Sequence, residues 1–382
     1  MSLQQPTSSD MTAGTLSRPN MLVRASNFMA RTLFNQPSFG AFLEPFIQLA
    51  YTNWQVDGIR SKVIANRQES GQVFTLVLKP ESRLATFKAG QYVSLTLNHN
   101  GSRHIRTFSI SSSPEDYSRY KTIELSIRIQ ENGAITPWMA KHLIPGTRIH
   151  ISPPAGEFVM PDSIQPLLMI AGGTGITPLR SMLRSITKKN DKRLVTLLYF
   201  GHDHLFKDEL ETMAHEHSNI EIHFVDTRRD GHINESVIEK LCPDFQIRQA
   251  MICGPHPLIK ASRDLLTSKG LDESDIHFEY FGAAPIEDLP FEHGGDDSLP
   301  TVNFSQSNTL VRHQSKKSLL EVAEGAGLKP VHGCRRGVCH QCVCQKESGV
   351  VYNTLTQQYS DTGPETIQLC ISVPVTPTSI SL

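Results

Sequence analysis

The chain has 382 residues, 38% of them hydrophobic and 20% charged, which exceeds a single hydrophobic core and predicts two or three soluble domains. Its 37 basic and 38 acidic residues nearly cancel, which argues against a global attraction to nucleic acid or to a membrane surface. The longest apolar runs, such as residues 194–200, are too short to span a bilayer, and the N-terminus has no apolar signal core. We therefore expect a cytoplasmic protein that has no transmembrane span and binds no nucleic acid.

Residues 1–55 are predicted to be an N-terminal extension, partly disordered and then helical. Residues 1–18 are polar and low in aromatic side chains, which is typical of disorder. Residues 21–54 carry apolar side chains without strand alternation, so we expect one or two short helices packed on the body. A docking element at a membrane surface is the alternative that this pattern leaves open.

Residues 56–162 predict an antiparallel β-barrel. Short runs of alternating apolar and polar residues are separated there by Gly, Pro, Asn and Ser. The predicted strands are residues 58–64, 73–78, 92–97, 104–110, 123–129 and 148–151.

Residues 163–282 predict a parallel sheet with helices on both faces, because apolar strands alternate there with helix-like stretches. The predicted strands are residues 167–171, 194–200, 220–225 and 250–253, and the predicted helices are residues 178–188, 234–241 and 257–269.

The last part of the chain predicts a third, smaller unit. Residues 283–300 combine prolines, acidic residues and a Gly-Gly pair, so we expect a solvated linker. Residues 301–382 then predict strands at 301–304 and 309–311, a helix at 318–325 and a cysteine-rich loop. The fold class is therefore multidomain α+β.

Five of the seven cysteines lie in this last unit, which favours metal ligation over disulfides in a cytoplasmic protein. The spacing Cys334-x4-Cys339-x2-Cys342, followed by Cys370 on a distant strand, is that of a plant-type [2Fe–2S] cluster. A structural zinc site is the alternative, but it would favour paired Cys-x2-Cys knuckles and only one is present. Cys344 lies outside the spacing and is interpreted as a non-ligand.

The span 301–382 resembles plant-type ferredoxins, with the segment from Gly333 to Cys342 at its centre. The resemblance implies a β-grasp ferredoxin domain whose cluster accepts one electron at a time.

Within the barrel region, Arg106-Thr107-Phe108-Ser109 resembles the Arg-x-(Tyr/Phe)-(Ser/Thr) signature of the ferredoxin–NADP reductase superfamily. The resemblance implies that Arg106 neutralises a flavin phosphate and that Phe108 covers the isoalloxazine ring. Ser109 would reach flavin N5, where hydride arrives, and Thr107 completes the cofactor-binding motif.

A second segment of the barrel region is similar to the family's other phosphate-contacting stretch, in which backbone N–H groups and a hydroxyl meet the pyrophosphate. Its cofactor-binding residues would be Gly133, Ile135 and Thr136. Residues 153–158 also match the family's barrel exit. FAD is the favoured flavin, and FMN is the alternative, since bacterial members with a C-terminal ferredoxin use it.

Residues 168–178 form a predicted strand, a glycine-rich turn and the start of a helix, where free N–H groups can bind a pyrophosphate. The run Ala-Gly-Gly-Thr-Gly-Ile-Thr-Pro matches the same superfamily. The cofactor-binding residues implied here are Gly172, Gly173, Thr174, Gly175 and Thr177.

Two further segments resemble the nicotinamide side of the family's site. Cys253-Gly254-Pro255 would lie beside the nicotinamide, with Cys253 near the hydride path; a buried strand-end thiol is the alternative. Glu279-Tyr280-Phe281 is similar to the Glu-x-Phe segment that closes this domain in the family, which implies that Phe281 shields the flavin and that Glu279 forms a hydrogen bond near the hydride site.

The choice of nucleotide is weakly encoded. A 2′-phosphate is bound by Arg or Lys near the adenosine ribose, and Arg228 and Arg229 are candidates for this role. An ordinary solvated turn is the alternative for both residues. NADPH is therefore preferred only slightly over NADH.

The order of barrel, nucleotide unit and ferredoxin resembles fused reductases that supply oxygenases, hydroxylases and desaturases. NAD(P)H gives two electrons together as a hydride, whereas a [2Fe–2S] cluster accepts one electron at a time. A flavin between them can accept the pair and release the electrons singly. The N-terminal extension also resembles that of bacterial electron-transfer partners of membrane fatty-acyl desaturases. We therefore expect an iron-dependent desaturase or hydroxylase as the electron acceptor, with possible peripheral contact with a membrane. The alternatives are an FMN reductase of a soluble Rieske-type oxygenase and a zinc-containing nucleotide-binding module.

Overall fold

The computed structural model describes residues 58–382, with gaps at residues 82–83, 85, 100–101, 132, 134, 282–298, 314–316 and 338–339. The segment from Asp57 to Leu382 forms one compact unit. The predicted N-terminal helices and nearly all of the predicted linker lie outside the described residues. No helix within the described ranges is both long and apolar enough to cross a membrane.

Six antiparallel strands form the first sheet: β1 (Ile59–Ser70), β2 (Val73–Pro80), β3 (Tyr92–His99), β4 (Ser102–Ser109), β5 (Ile123–Arg128) and β6 (Arg148–Ile151). Their order is β4–β3–β6–β1–β2–β5. Every strand predicted from alternation is present, although β1 continues six residues beyond its predicted end at residue 64. The two outermost strands meet where Ser111 N, just after β4, donates to Glu124 O of β5 at 2.8 Å.

Two short helices, α1 (Pro114–Tyr120) and α2 (Thr136–His142), flank β5. The sequence pattern predicts neither of them. α1 begins at a capping box, because the Ser113 hydroxyl accepts from Asp116 N and the Asp116 carboxylate accepts from Ser113 N. α2 packs through buried Met139 on the core of the first sheet.

The second sheet is entirely parallel, with the order β11–β10–β7–β8–β9 among β7 (Leu167–Gly172), β8 (Val195–Gly201), β9 (Ile220–Asp226), β10 (Gln249–Gly254) and β11 (Ile276–Tyr280). Its helices are α3 (Ile176–Lys189), α4 (Lys207–Glu216), α5 (Glu235–Leu241) and α6 (His256–Ser268). The four predicted strands and three predicted helices are confirmed. α4 and β11 are additional to the prediction.

Helices cover both faces of this sheet, as the alternation predicts. Met169 and Leu197 face one core together with Leu183 of α3. Ile170, adjacent to Met169 along β7, faces the opposite core together with Ile259 of α6. Successive strand residues therefore serve two different cores, which is why the strands are continuously apolar.

The C-terminal unit is a mixed sheet with one helix against it. Its elements are β12 (Thr301–Phe304), β13 (Thr309–Arg312), α7 (Leu319–Gly325), β14 (Val343–Ser348), β15 (Val351–Asn353), β16 (Gln358–Tyr359), β17 (Glu365–Gln368), β18 (Ser372–Pro374) and β19 (Thr378–Ile380). The larger sheet has the order β13–β12–β19–β14–β17, in which β12 and β19 are parallel, and β16–β15–β18 form a smaller one. The predicted strands and helix of this unit are confirmed. Cys370, expected on a strand, instead lies in a single 3₁₀ turn (Leu369–Ile371) between β17 and β18.

Candidate functional site

A cavity of about 270 Å³ lies where three parts of the chain meet. The first sheet and the segment after β5 contribute Tyr92, Arg106, Thr107, Phe108, Ser109, Ser126, Ile127, Arg128, Gln130 and Thr136. The second sheet contributes Thr174, Thr177, Glu279 and Phe281, and the loop formed by residues 333–342, here called the cysteine loop, contributes Cys334 and Arg336. Predicted flavin, nicotinamide and cluster residues therefore border one cavity.

The Arg106–Ser109 motif occupies the end of β4, where β4 pairs with β3 and Ser109 lies opposite Tyr92. The Thr107 and Ser94 hydroxyls share a 3.0 Å hydrogen bond across this pair. Burial, and then the charge of Arg335, lower the pKa of Arg106. Within the described ranges the Arg106 guanidinium donates only to Ile105 O, at 2.8 Å, and forms no ion pair. It is therefore available to a phosphate, which fits the predicted role.

The second predicted flavin segment forms a tight turn before α2. Gly133 N donates to Gln130 O at 2.8 Å, and the Thr136 hydroxyl accepts from Gln130 N at 2.8 Å. Thr136 lines the cavity, whereas the Ile135 side chain is buried in the core of the first sheet. Ile135 can therefore contribute only its backbone to a cofactor.

The glycine-rich turn joins β7 to α3 and packs against the end of β10. Gly173 has a φ of +53°, and a Cβ at Gly175 would lie 2.1 Å from Cys253 O, so only glycine permits this approach. A Cβ at Gly172 would meet Pro255 Cδ at 2.7 Å. The structure thus brings the two predicted nucleotide segments, 172–177 and 253–255, together. No side chain caps the start of α3, which leaves its N-terminus suited to a phosphate.

Glu279 and Phe281 line the cavity from β11 and the residue after it. Burial raises the pKa of Glu279 to about 7, against the opposing charge of Arg336. Its Oε2 atom is buried and has no hydrogen-bond partner among the described residues. An unsatisfied buried carboxyl oxygen beside the cavity fits a polar ligand that would complete its hydrogen bonding.

Cys253 is placed differently from its neighbours. Its side chain is fully buried in the core between the second sheet and α3, and it does not line the cavity. Burial raises the pKa of its thiol well above the usual value. These observations match the alternative interpretation, a buried strand-end thiol, and give no support to a direct catalytic role.

The predicted cluster ligands are partly brought together. The buried thiols of Cys342 and Cys370 share a hydrogen bond, which lowers the pKa of Cys342 to about 7 and raises that of Cys370. Gly337 N donates to Cys370 Sγ at 3.3 Å. Gly337 has a φ of +78°, and a Cβ there would lie 2.6 Å from Ile371 Cδ1, so the loop requires glycine at this position.

Cys339 lies outside the described residues, and Cys344 forms a separate contact with Ser381 O at 3.2 Å. Within the described ranges, no three His, Cys, Asp or Glu side chains converge closely enough to hold a metal ion. The ligand set therefore stays a prediction that requires Cys339.

Arg228 and Arg229 lie after β9, away from the cavity. Both Arg229 Nε and Arg229 Nη2 donate to Asp230, at 2.8 and 2.9 Å. The Arg228 guanidinium forms no hydrogen bond or ion pair in the described part of the chain. The two candidates for a 2′-phosphate are therefore not equivalent, and Arg228 is the available one.

Two basic residues of the cavity, Arg128 and Arg336, are absent from the sequence prediction. The Nη1 atom of Arg128, at the end of β5, lies 3.9 Å from the position that a Cβ on Gly173 would take. A positively charged side chain of the first sheet therefore lies next to the glycine turn. Arg336, from the cysteine loop, is the other. A basic residue at a strand end or beside a cysteine is a weak signal alone, and only the fold identifies these two.

The chain matches two protein-family models. The oxidoreductase FAD-binding domain covers residues 61–160, and the oxidoreductase NAD-binding domain covers residues 169–264. These ranges coincide with the first sheet and with most of the second, on opposite sides of the cavity. The chain is an oxidoreductase of the ferredoxin reductase type. Its first sheet is the FAD-binding part and its second sheet is the NAD(P)-binding part.

Whole-chain comparisons agree with this assignment. The reductase is 28% identical over 334 residues to an NADPH oxidoreductase of Mycobacterium tuberculosis, covering 86% of each chain. It is 29% identical over 338 residues to the glycine betaine monooxygenase reductase subunit of Chromohalobacter salexigens, covering 81% of this chain and 90% of the relative.

A solved structure shows the same fold. Phthalate dioxygenase reductase, described as a modular structure for electron transfer from pyridine nucleotides to [2Fe–2S], matches with a TM-score of 0.56 and 24% identity. The match covers 85% of this reductase and 98% of that chain.

Proposed function

We propose that the reductase passes electrons from NADPH through FAD to a [2Fe–2S] cluster on Cys334, Cys339, Cys342 and Cys370, and then to an iron-dependent oxygenase. One observation supports this path most strongly: Cys334 borders the same cavity as Phe108 and Glu279. The ligand spacing, the mixed sheet around α7 and the fold shared with a [2Fe–2S] reductase support the cluster.

The residues around the cavity have distinct tasks. Arg106 and the turn before α2 would hold the flavin phosphates, and Phe108 and Phe281 would cover the ring. The glycine turn and the start of α3 would hold the nucleotide pyrophosphate. Bound FAD would take a hydride, which is two electrons and a proton, and give up electrons singly. Each turnover therefore oxidises one NADPH, reduces two one-electron acceptors and releases one proton.

The acceptor is proposed from the relatives. Several of them are reductase components of monooxygenases, which supports an oxygenase partner for this chain. A membrane fatty-acid desaturase or hydroxylase is the narrower proposal, and it rests on the resemblance of residues 1–55, which lie outside the described residues. NADPH is preferred because Arg228 is available and one relative is an NADPH oxidoreductase.

The test is cofactor analysis of protein purified without oxygen. We expect one FAD, two irons and two acid-labile sulfides per chain, and a reduced-state electron paramagnetic resonance signal after NADPH addition. FAD without iron would contradict the cluster, and zinc in place of iron would favour the binding-module alternative. Pairing the purified reductase with a candidate desaturase and with a soluble oxygenase would then separate the two acceptors.

A further inference from the structure

Arg336 connects the cysteine loop to the second sheet. Its Nη1 atom donates to Tyr280 O, at the end of β11, at 2.7 Å, although the two residues are 56 positions apart. Its backbone N donates to Cys334 Sγ at 3.3 Å. One residue thus contacts a predicted cluster ligand with its main chain and the cavity wall with its side chain.

The side chain of Arg336 also faces the two residues that flank Tyr280. Its guanidinium carbon lies 6.0 Å from the centroid of the Phe281 ring. Its positive charge opposes the effect of burial on the pKa of Glu279. Arg336 therefore donates to one carbonyl, lies over the next aromatic ring and acts electrostatically on the preceding carboxyl group, on consecutive residues of one wall.

The preceding residue, Arg335, makes different contacts. Its Nη1 and Nη2 atoms donate to the carboxylate of Glu324 on α7, at 3.0 and 2.5 Å, so its bonds stay within the C-terminal unit. Arg335 has a φ of +58°, a conformation that non-glycine residues rarely adopt. Such a residue reverses the local chain direction, which lets two adjacent arginines reach opposite sides of the loop.

We propose that Arg336 is the positioning residue that seats the cysteine loop on the flavin cavity and thereby sets the rate of electron transfer from flavin to cluster. This inference rests on the proposed function. With both groups bound, the flavin would give up one electron, which would reduce one ferric iron to ferrous. The second electron would follow after the acceptor had taken the first, and the flavin proton would be released to solvent.

A guanidinium suits this position better than an ammonium group. Its planar fork can donate to a carbonyl while its face lies over an aromatic ring, whereas lysine offers a compact charge on a flexible stem. Arg336→Lys should therefore retain part of the flavin-to-cluster electron-transfer rate that Arg336→Gln loses. A role limited to charge would predict full rescue by lysine.

The experiment compares three variants of the full-length, cofactor-loaded protein: Arg336→Gln, Arg336→Lys and, as a matched control, Arg335→Gln. Anaerobic stopped-flow mixing with NADPH follows flavin bleaching and cluster reduction at their separate absorbance bands. In Arg336→Gln we expect the ratio of cluster-reduction rate to flavin-reduction rate to fall on the order of 10–100-fold, as small misplacements of reacting groups do. The ratio should fall less in Arg336→Lys and stay near that of the parent protein in Arg335→Gln.

Hydrogen exchange supplies a readout that does not depend on activity. Peptides from β11 and from the cysteine loop should exchange faster in Arg336→Gln than in Arg335→Gln. An unchanged rate ratio, or an equal loss in the control, would overturn the proposal, and so would unchanged exchange at both segments. A parent protein that binds FAD but no iron would instead refute the proposed function, while the exchange comparison would still test the seating of the loop. If Arg336→Gln does not fold, the rate ratio and the hydrogen exchange of Arg336→Lys test the proposal in its place.

Discussion

Arg180 of α3 and Glu124 of β5 form a 2.9 Å ion pair between the NAD(P)-binding and FAD-binding parts of the chain. Both side chains are largely buried, at 4% and 14% exposure. The same guanidinium donates to Glu209 on α4 at 2.7 Å. One arginine thus holds the two sheets in a fixed orientation on either side of the cavity.

Arg180→Gln should destabilise the protein by about 1–3 kcal/mol, because the charged hydrogen bonds of Arg180 to Glu124 and Glu209 are lost while Arg184 still pairs with both carboxylates. Urea unfolding of the FAD-loaded protein measures this change. Arg60→Gln is the control, since Arg60 pairs with Glu81 at 61% and 44% exposure and should change stability by less than about 1 kcal/mol. Similar losses in the two variants would show that the buried pair is not a major source of stability.

Acid should weaken the packing between the FAD-binding and NAD(P)-binding parts. Burial raises the pKa of Glu124 and of Glu209, but the charges and hydrogen bonds of Arg180 and Arg184 outweigh it, so both pKa values are lowered. A carboxyl group with a lowered pKa in the folded state stabilises the protein above its unfolded pKa of about 4.3 and loses that contribution as pH falls through the folded value. The free energy of unfolding should therefore decline below about pH 4.3, and less steeply in Arg180→Gln. An equally steep decline in the parent protein and in Arg180→Gln would show that Arg180 does not lower the pKa values of these carboxyl groups.

Hydride transfer should depend on the protonation of Glu279. Its pKa of about 7 means that the carboxyl is mostly neutral below this pH and ionised above it. A negative charge beside the flavin ring disfavours the arrival of hydride, so the flavin-reduction rate should fall as pH rises through 7. Glu279→Gln should remove this inflection in a stopped-flow pH profile, whereas Glu273→Gln, at an exposed position in the same part, should retain it. An unchanged inflection in Glu279→Gln would assign the titration to another group.

Cys370→Ser should lower iron content and abolish electron delivery to a one-electron protein acceptor. NADPH-driven flavin bleaching should continue, because the proposed flavin and nicotinamide residues line a cavity to which Cys370 does not contribute. Cys344→Ser is the matched control, since Cys344 contacts Ser381 O and lies outside the ligand spacing. Loss of iron in Cys344→Ser, with retention in Cys370→Ser, would require a different ligand set.

Arg228→Ala should raise the KM for NADPH about tenfold or more and leave the KM for NADH nearly unchanged, because a charged hydrogen bond to the 2′-phosphate is lost. Arg229→Ala should have little effect, since the Arg229 guanidinium is held by Asp230. Steady-state kinetics with both nucleotides measure the difference. Equal effects on NADPH and NADH would remove Arg228 from nucleotide selection.

The sequence predicts the features that are encoded locally. Alternating burial in the first half of β1 and the continuous apolar run of β7 indicate the two sheets, and the glycine turn before α3 indicates the proposed nucleotide site. The short helix α1 is missed because its seven residues, about two turns, leave little apolar periodicity. Cys370 is misplaced because its apolar neighbours, Leu369 and Ile371, suit a strand as well as a buried turn.

Contacts between distant segments could not be predicted in the same way. Arg336 meets Tyr280 and Arg128 faces Gly173 only because the three parts of the chain pack around one cavity. Neither contact leaves a periodic pattern or a fixed spacing. For Cys253 the sequence leaves two interpretations open, and its side chain lies in the core between the second sheet and α3, as the buried-thiol interpretation expects.

The shared border of Phe108 and Cys334 has a kinetic consequence. Because both belong to one polypeptide, electron exchange between the flavin and the cluster that they are proposed to hold would be a first-order event whose rate is independent of protein concentration. Dilution would therefore slow only the encounter with the external acceptor, and a cell that makes few copies of this chain would still retain rapid internal transfer.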